Sequence, residues 1–104
     1  GNVKPLDMPG AGTTVHIADG VFTKIIAIPK AGTFTQQETH EYDHTTVLAH
    51  GSVVVWRDNE YRGVFTAPAG LEIPAGTAHK FMATVDNTVL LCIHRLDRFG
   101  MGVP

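Results

Sequence analysis

Apolar and polar residues alternate along most of this chain, in short runs cut by glycine or proline. A period of two is the signature of strands, whose successive side chains point to opposite faces. The run GVFTKIIAIP (20–29) is rich in β-branched and aromatic residues and is bounded by Gly20 and Pro29. TTVLA (45–49) follows, then the pair His50-Gly51, then SVVVW (52–56). Asp58-Asn59 is a hairpin signal, and EYRGVFTAP (60–68) comes after it. LEIP (71–74), HKFMATV (79–85) and TVLLCIH (88–94) complete the series, the last two separated by the tight-turn pair Asp86-Asn87. His16 falls in a further, N-terminal strand. No window carries apolar residues at helical spacing over three turns. Many short strands at regular intervals predict an all-β sandwich or barrel, with no βαβ unit.

Phe22, Ile26 and Ile28 alternate with Val21, Ile25 and Ala27, so both faces of that strand are apolar. Such a strand needs cover on both sides. In a small all-β domain a second copy supplies it, which predicts a homodimer.

Composition narrows the function classes. The length of 104 residues is one domain's worth, and a domain of that size builds a modest core without disulfides. The net charge is −2 and there is no Lys/Arg block, which argues against nucleic acid or an anionic membrane as partner. No apolar run approaches the roughly 20 residues that span a bilayer. The segment GNVKPLDMPGAG lacks the apolar core of a signal peptide, and Gly1 stands where an initiator methionine is expected. Cys92 is the one cysteine, so no intrachain disulfide forms; a reducing, cytoplasmic setting is the expectation.

The candidate chemistry lies in GTFTQQETHEYDHTTVLAHG (32–51). Glu38 and His40 are two apart and project to one face of a strand. A bend at Glu41-Tyr42-Asp43 lets His44 rejoin that face. In GLEIPAGTAHKF (70–81), a turn at Pro74 and Gly76 aims His79 from a strand start. One carboxylate and three imidazoles make four donors without thiolate, a set suited to Fe, Mn, Ni, Zn or Cu.

Here the sequence resembles a single-domain cupin. That family's first motif is Gly, five residues, His-x-His, three or four residues, Glu, six residues, Gly. Gly32, Glu38-x-His40, His44 and Gly51 fill its slots at those intervals. The second motif is Gly, five residues, Pro-x-Gly, two residues, His, three residues, Asn, and Pro74-x-Gly76-x-x-His79 matches its centre. Two slots of the first motif have traded types: Glu38 stands where the family has histidine, and His44 where it has glutamate. In the second, Pro68 replaces the leading glycine and Ala83 the terminal asparagine. The motifs span about 32–51 and 70–83 of a single domain over 1–104, with a tail at 95–104 that is not strand-like by itself.

The resemblance implies a small double-stranded β-helix, or jelly-roll, barrel. It implies metal ligation by His40, His44 and His79, with Glu38 as fourth ligand or as a proton acceptor beside the ion. His94 shares one face of the last strand with Leu90 and Cys92, which makes it an acid/base candidate or a hydrogen-bonded histidine at a strand end. Asp43 either orients an imidazole or stabilises the bend, and Gln36 or Gln37 could assist. His50 is expected in an exposed hairpin turn. Phe34, Trp56, Phe65, Phe81 and Met82 are expected in the core or a pocket wall.

Three function classes stay open. One is a metal-dependent enzyme acting on a small molecule as oxygenase, isomerase or lyase, with a lean to dioxygenase. Another is a non-catalytic module, in which the metal is structural or the cavity binds a small molecule. The last is an assembly subunit without metal. Fold does not choose among them.

Overall fold

The structure, a computed structural model, describes residues 12–35 and 44–96; of His44 it describes the backbone only. Eight strands carry the described chain: β1 (Gly12–Ala18), β2 (Val21–Ile28), β3 (His44–His50), β4 (Ser52–Arg57), β5 (Glu60–Thr66), β6 (Ala69–Ile73), β7 (His79–Ala83) and β8 (Thr88–Arg95). Among the described residues there is no helix, and so none long and apolar enough to cross a membrane.

The strands form two antiparallel sheets packed face to face. One has the order β1-β2-β8-β3-β6, the other β5-β4-β7. Sequence neighbours fall in different sheets at four points. The chain crosses at Gly51, at the cis Ala67-Pro68 bond, through 74–78 and through 84–87. These crossings make the jelly roll. The segment 32–35 adds to the free edge of β7: Gly32 N–H donates to the Ala83 carbonyl at 2.7 Å, and Thr35 N–H to the Phe81 carbonyl at 2.8 Å. The two sheets are not hydrogen-bonded into a closed cylinder; β5 and β6 are facing sheet edges that stay apart. The expected barrel is therefore an open sandwich over the described residues.

Cross-strand register builds the core in rows. Ile26, Leu90 and Leu48 lie on one row of the larger sheet and are buried. Lys24, Cys92, Thr46 and Leu71 form the next. The facing sheet contributes Val53 opposite Ala83 and Val55 opposite Phe81, all buried. Fully burying a side chain of this kind is worth about 1.5–3 kcal/mol. Two buried hydroxyls bond the backbone: Thr35 Oγ1 accepts from Phe81 N–H at 3.0 Å, and Thr88 Oγ1 donates to the Val85 carbonyl at 3.0 Å.

One expectation is corrected by register: His50-Gly51 is not a hairpin turn, because its flanking strands lie in opposite sheets. His50 is exposed, and its Nδ1–H donates to the Asn87 carbonyl at 2.6 Å. The Asp58-Asn59 turn does join a hairpin, β4 to β5, with φ of +51° and +65° at its two residues. Positive φ at both positions matches the twist of the flanking strands.

Of the five side chains expected inside, Phe81 is in the core and Phe65 packs against it. Phe34, Trp56 and Met82 belong to the opposite, outer face. Trp56 pairs with Lys80 and Phe34 with Met82, one residue out of phase with the buried set. Lys80 Nζ lies 5.2 Å from the Phe34 ring centroid and 5.0 Å from that of Trp56, so a cation covers these rings.

Candidate metal centre

His79 is the first residue of β7 and is buried, with 3% of its surface exposed. Its position follows from the turn before it. Pro74 ends β6, Thr77 N–H donates to the Pro74 carbonyl at 3.2 Å, and Gly76 takes φ of +76°. Ala78 is then gripped by the tip of the β4–β5 hairpin. Asp58 N–H donates to the Ala78 carbonyl at 2.7 Å, and Ala78 N–H donates to Asp58 Oδ1 at 3.0 Å. The His79 ring stands edge-on to Phe81, centroids 5.6 Å apart at 61°.

Both ends of the segment that carries Glu38 and His40 come to this end of the sandwich. Thr35 is hydrogen-bonded to Phe81, two residues from His79 along β7. His44 opens β3, and its backbone pairs with Ile73, the last residue of β6 before the turn to His79. Thr45 pairs with Ile93, which brings His44 and His94 to the next rung of β3 and β8. Arg57 is the register partner of His79 on β4.

Glu38 and His40 lie outside the described residues, as do Gln36, Gln37, Tyr42 and Asp43; so does the side chain of His44. Among the described residues no group of three or more His, Cys, Asp or Glu side chains could hold a metal ion. His94 is half-buried. Its ring stacks on Phe22, centroids 4.6 Å apart at 20°, and its Nδ1–H donates to the Arg95 carbonyl at 3.1 Å. His16 is exposed on β1, remote in the sheet order from β3.

Reading the sequence missed the part Asp58 plays here. The Asp-Asn pair was legible as a turn, yet its carboxylate bonds a residue 20 positions away. Thr35, whose hydroxyl seats the start of the 36–43 segment on β7, was missed as well; a lone buried threonine has no local signature.

No family model and no curated protein sequence matches the chain. Solved structures do. KdgF from Halomonas sp. is 15% identical with a TM-score of 0.75, covering 89% of this chain and 84% of its own. An RmlC-like cupin from Shewanella frigidimarina is 16% identical with a TM-score of 0.73, covering 90% and 83%. Salicylate 1,2-dioxygenase from Pseudoaminobacter salicylatoxidans is 12% identical with a TM-score of 0.74, covering 86% of this chain but 26% of the dioxygenase. Identities this low speak to architecture, and fold alone does not carry activity across. With its two antiparallel sheets, its four sheet-to-sheet crossings and these structural neighbours, the chain has the cupin fold.

Proposed function

We propose that this chain is a metal-binding small cupin in which His40, His44, His79 and Glu38 grip one divalent transition metal, Fe, Mn, Ni, Zn or Cu. The observation that carries the reading is the burial of His79 at the end of the sandwich to which Thr35 and His44 also bring the 36–43 segment. A histidine-rich donor set with one carboxylate fits a borderline divalent ion. When bound, such an ion supplies Lewis-acid or redox chemistry to a small molecule. The protein's own part is to keep the His79 imidazole away from water, with Glu38 as a ligand or a proton acceptor next to the ion. We favour an enzyme on a small-molecule substrate and lean to a dioxygenase, since a histidine-rich site with one carboxylate suits Fe(II).

Metal analysis of protein purified without a nickel column tests the reading. About one equivalent of a first-row transition metal is expected, removable by chelation. Protein that comes through folded and metal-free, and takes up none of the five ions on titration, belongs to the assembly class instead.

We further propose a homodimer. On the outward face of the larger sheet, Ile25, Leu91 and Val47 occupy one row across β2, β8 and β3, half-buried and without a protein layer over them among the described residues. A cytoplasmic location is proposed on the single thiol of Cys92 and the absence of any possible intrachain disulfide.

A further inference from the structure

We propose that the gap between the facing edges of β5 and β6 is a binding site for a small organic carboxylate with an apolar body, held by Arg57 and Arg62. The gap is a cavity of about 250 Å³ whose floor is Val55, Phe65, Leu71 and Ile73. Its volume lies just below the usual range for ligand pockets, roughly 300–1,000 Å³, which fits a single ring or a short branched chain.

Three observations point to an anion. First, both basic side chains of β4 and β5 line this one cavity. Arg57 is half-buried, and among the described residues its guanidinium has no hydrogen bond and no ion pair. A half-desolvated guanidinium beside an apolar floor is a receptor for a planar carboxylate, which it meets through two parallel N–H donors.

Second, Arg62 reaches the cavity through a β-bulge. Val55 pairs with Gly63 and Trp56 with Tyr61, so Arg62 is the extra residue, opposed by nothing on β4. Gly63 takes φ of +118°, a conformation that side-chain-bearing residues rarely adopt. Bulges re-aim a side chain out of strand alternation, and they recur next to binding sites. The existing partner of Arg62 is weak: Glu60 lies 3.6 Å away, and the two side chains are 45% and 77% exposed.

Third, the charge on the wall is unbalanced. Glu72 is the one acidic lining residue; it is exposed on β6, between Leu71 and Ile73 in the alternation. Glu60 lies outside the lining and offsets Arg62 from the solvent side, which leaves Arg57 as the guanidinium without a carboxylate partner among the described residues and favours a monoanion. The larger hollow of about 570 Å³ at the opposite end, beside His50, carries no Lys or Arg and no such preference.

The cavity also borders the candidate metal end. Arg57 is the cross-strand partner of His79, and Ile73 that of His44. The binding site stands independently of the metal, so it is tested on chelator-treated protein. Benzoate, its uncharged isostere benzamide, and inorganic phosphate are titrated while backbone amide shifts are followed by NMR. Benzoate is expected to bind at least tenfold more tightly than either of the others, with the largest shifts at Arg57, Arg62, Gly63 and Gly70. Arg57→Gln and Arg62→Gln should each weaken benzoate about tenfold and leave benzamide unchanged. Arg62 is exposed, so its variant stays folded and reports even if Arg57→Gln does not. Equal binding of benzoate and benzamide, equal binding of phosphate, or shifts centred on His50 would each overturn the proposal. None of those outcomes touches the metal reading.

Discussion

Asp58 and Ala78 are bonded to each other twice: Asp58 N–H to the Ala78 carbonyl at 2.7 Å, and Ala78 N–H to the Asp58 carboxylate at 3.0 Å. The clamp ties the tip of the β4–β5 hairpin to the residue before His79, so a surface turn sets the backbone of a buried imidazole. Asp58 also sits at φ of +51°, where Asp and Asn are tolerated and alanine is strained.

Asp58→Ala removes the side-chain acceptor and adds strain, at a cost of about 1–2 kcal/mol in urea denaturation. It should also weaken metal binding about tenfold, the lower end of what losing an orienting partner costs. Asp58→Asn keeps an acceptor oxygen and the turn preference, and should recover both. Unchanged metal affinity in a destabilised Asp58→Ala protein would separate the clamp from the site.

Gly51→Ala is expected to be the more damaging surface-adjacent change. Gly51 takes φ of +87° where the chain passes between sheets, and an added Cβ would lie 2.8 Å from the Thr88 Cα. Backbone on the start of β8 cannot swing aside as a side-chain tip can. Strain and overpacking together cost about 3 kcal/mol. Thermal unfolding followed by circular dichroism should show a fall in Tm of more than about 10 °C.

The His40→Ala/His79→Ala double variant should bind no transition metal and still melt cooperatively as a β-protein. The apolar core, from Leu48 and Leu90 to Val53 and Phe81, is built without His79, which only edges against Phe81. Truncating the buried His79 leaves a small void worth about 1–2 kcal/mol. An unfolded double variant would make the metal structural and count against the enzyme.

Leu91→Glu places a charge in the middle of the Ile25–Leu91–Val47 row. Light scattering should report a dimer for the parent chain and a monomer for the variant at micromolar concentration. A monomeric parent would remove the second subunit altogether.

How much of this was legible in the chain follows from the range over which each signal acts. Period-two alternation is set within a few residues, and it located β2 and β8 almost to the residue. The Asp58-Asn59 turn was readable for the same reason, since the dipeptide itself favours positive φ. The intervals among Glu38, His40, His44 and His79 suggested a ligand set through a family resemblance, and the approach of His44 to the turn before His79 is visible in the register of β3 with β6.

Other features have no local cause. His50-Gly51 looks like a hairpin turn because a tight turn needs the same residues whether the next strand pairs with the last one or leaves for the opposite sheet. The same ambiguity put Trp56, Phe34 and Met82 inside when register sets them outside. An aromatic residue reads as core in sequence, whereas Lys80 shields two of these rings on the surface.

The sequence by itself determined where strands run, where they turn, and which residue types are available for chemistry, because these depend on backbone preferences and side-chain alternation over a few residues. Only the tertiary structure decided which edges meet: that β7 is joined by 32–35, that Asp58 reaches Ala78, and that a bulge turns Arg62 toward the gap beside β6. Those choices are made by hydrogen bonds and burial between residues far apart in the chain, where loop-closure entropy must be overcome by the whole core at once.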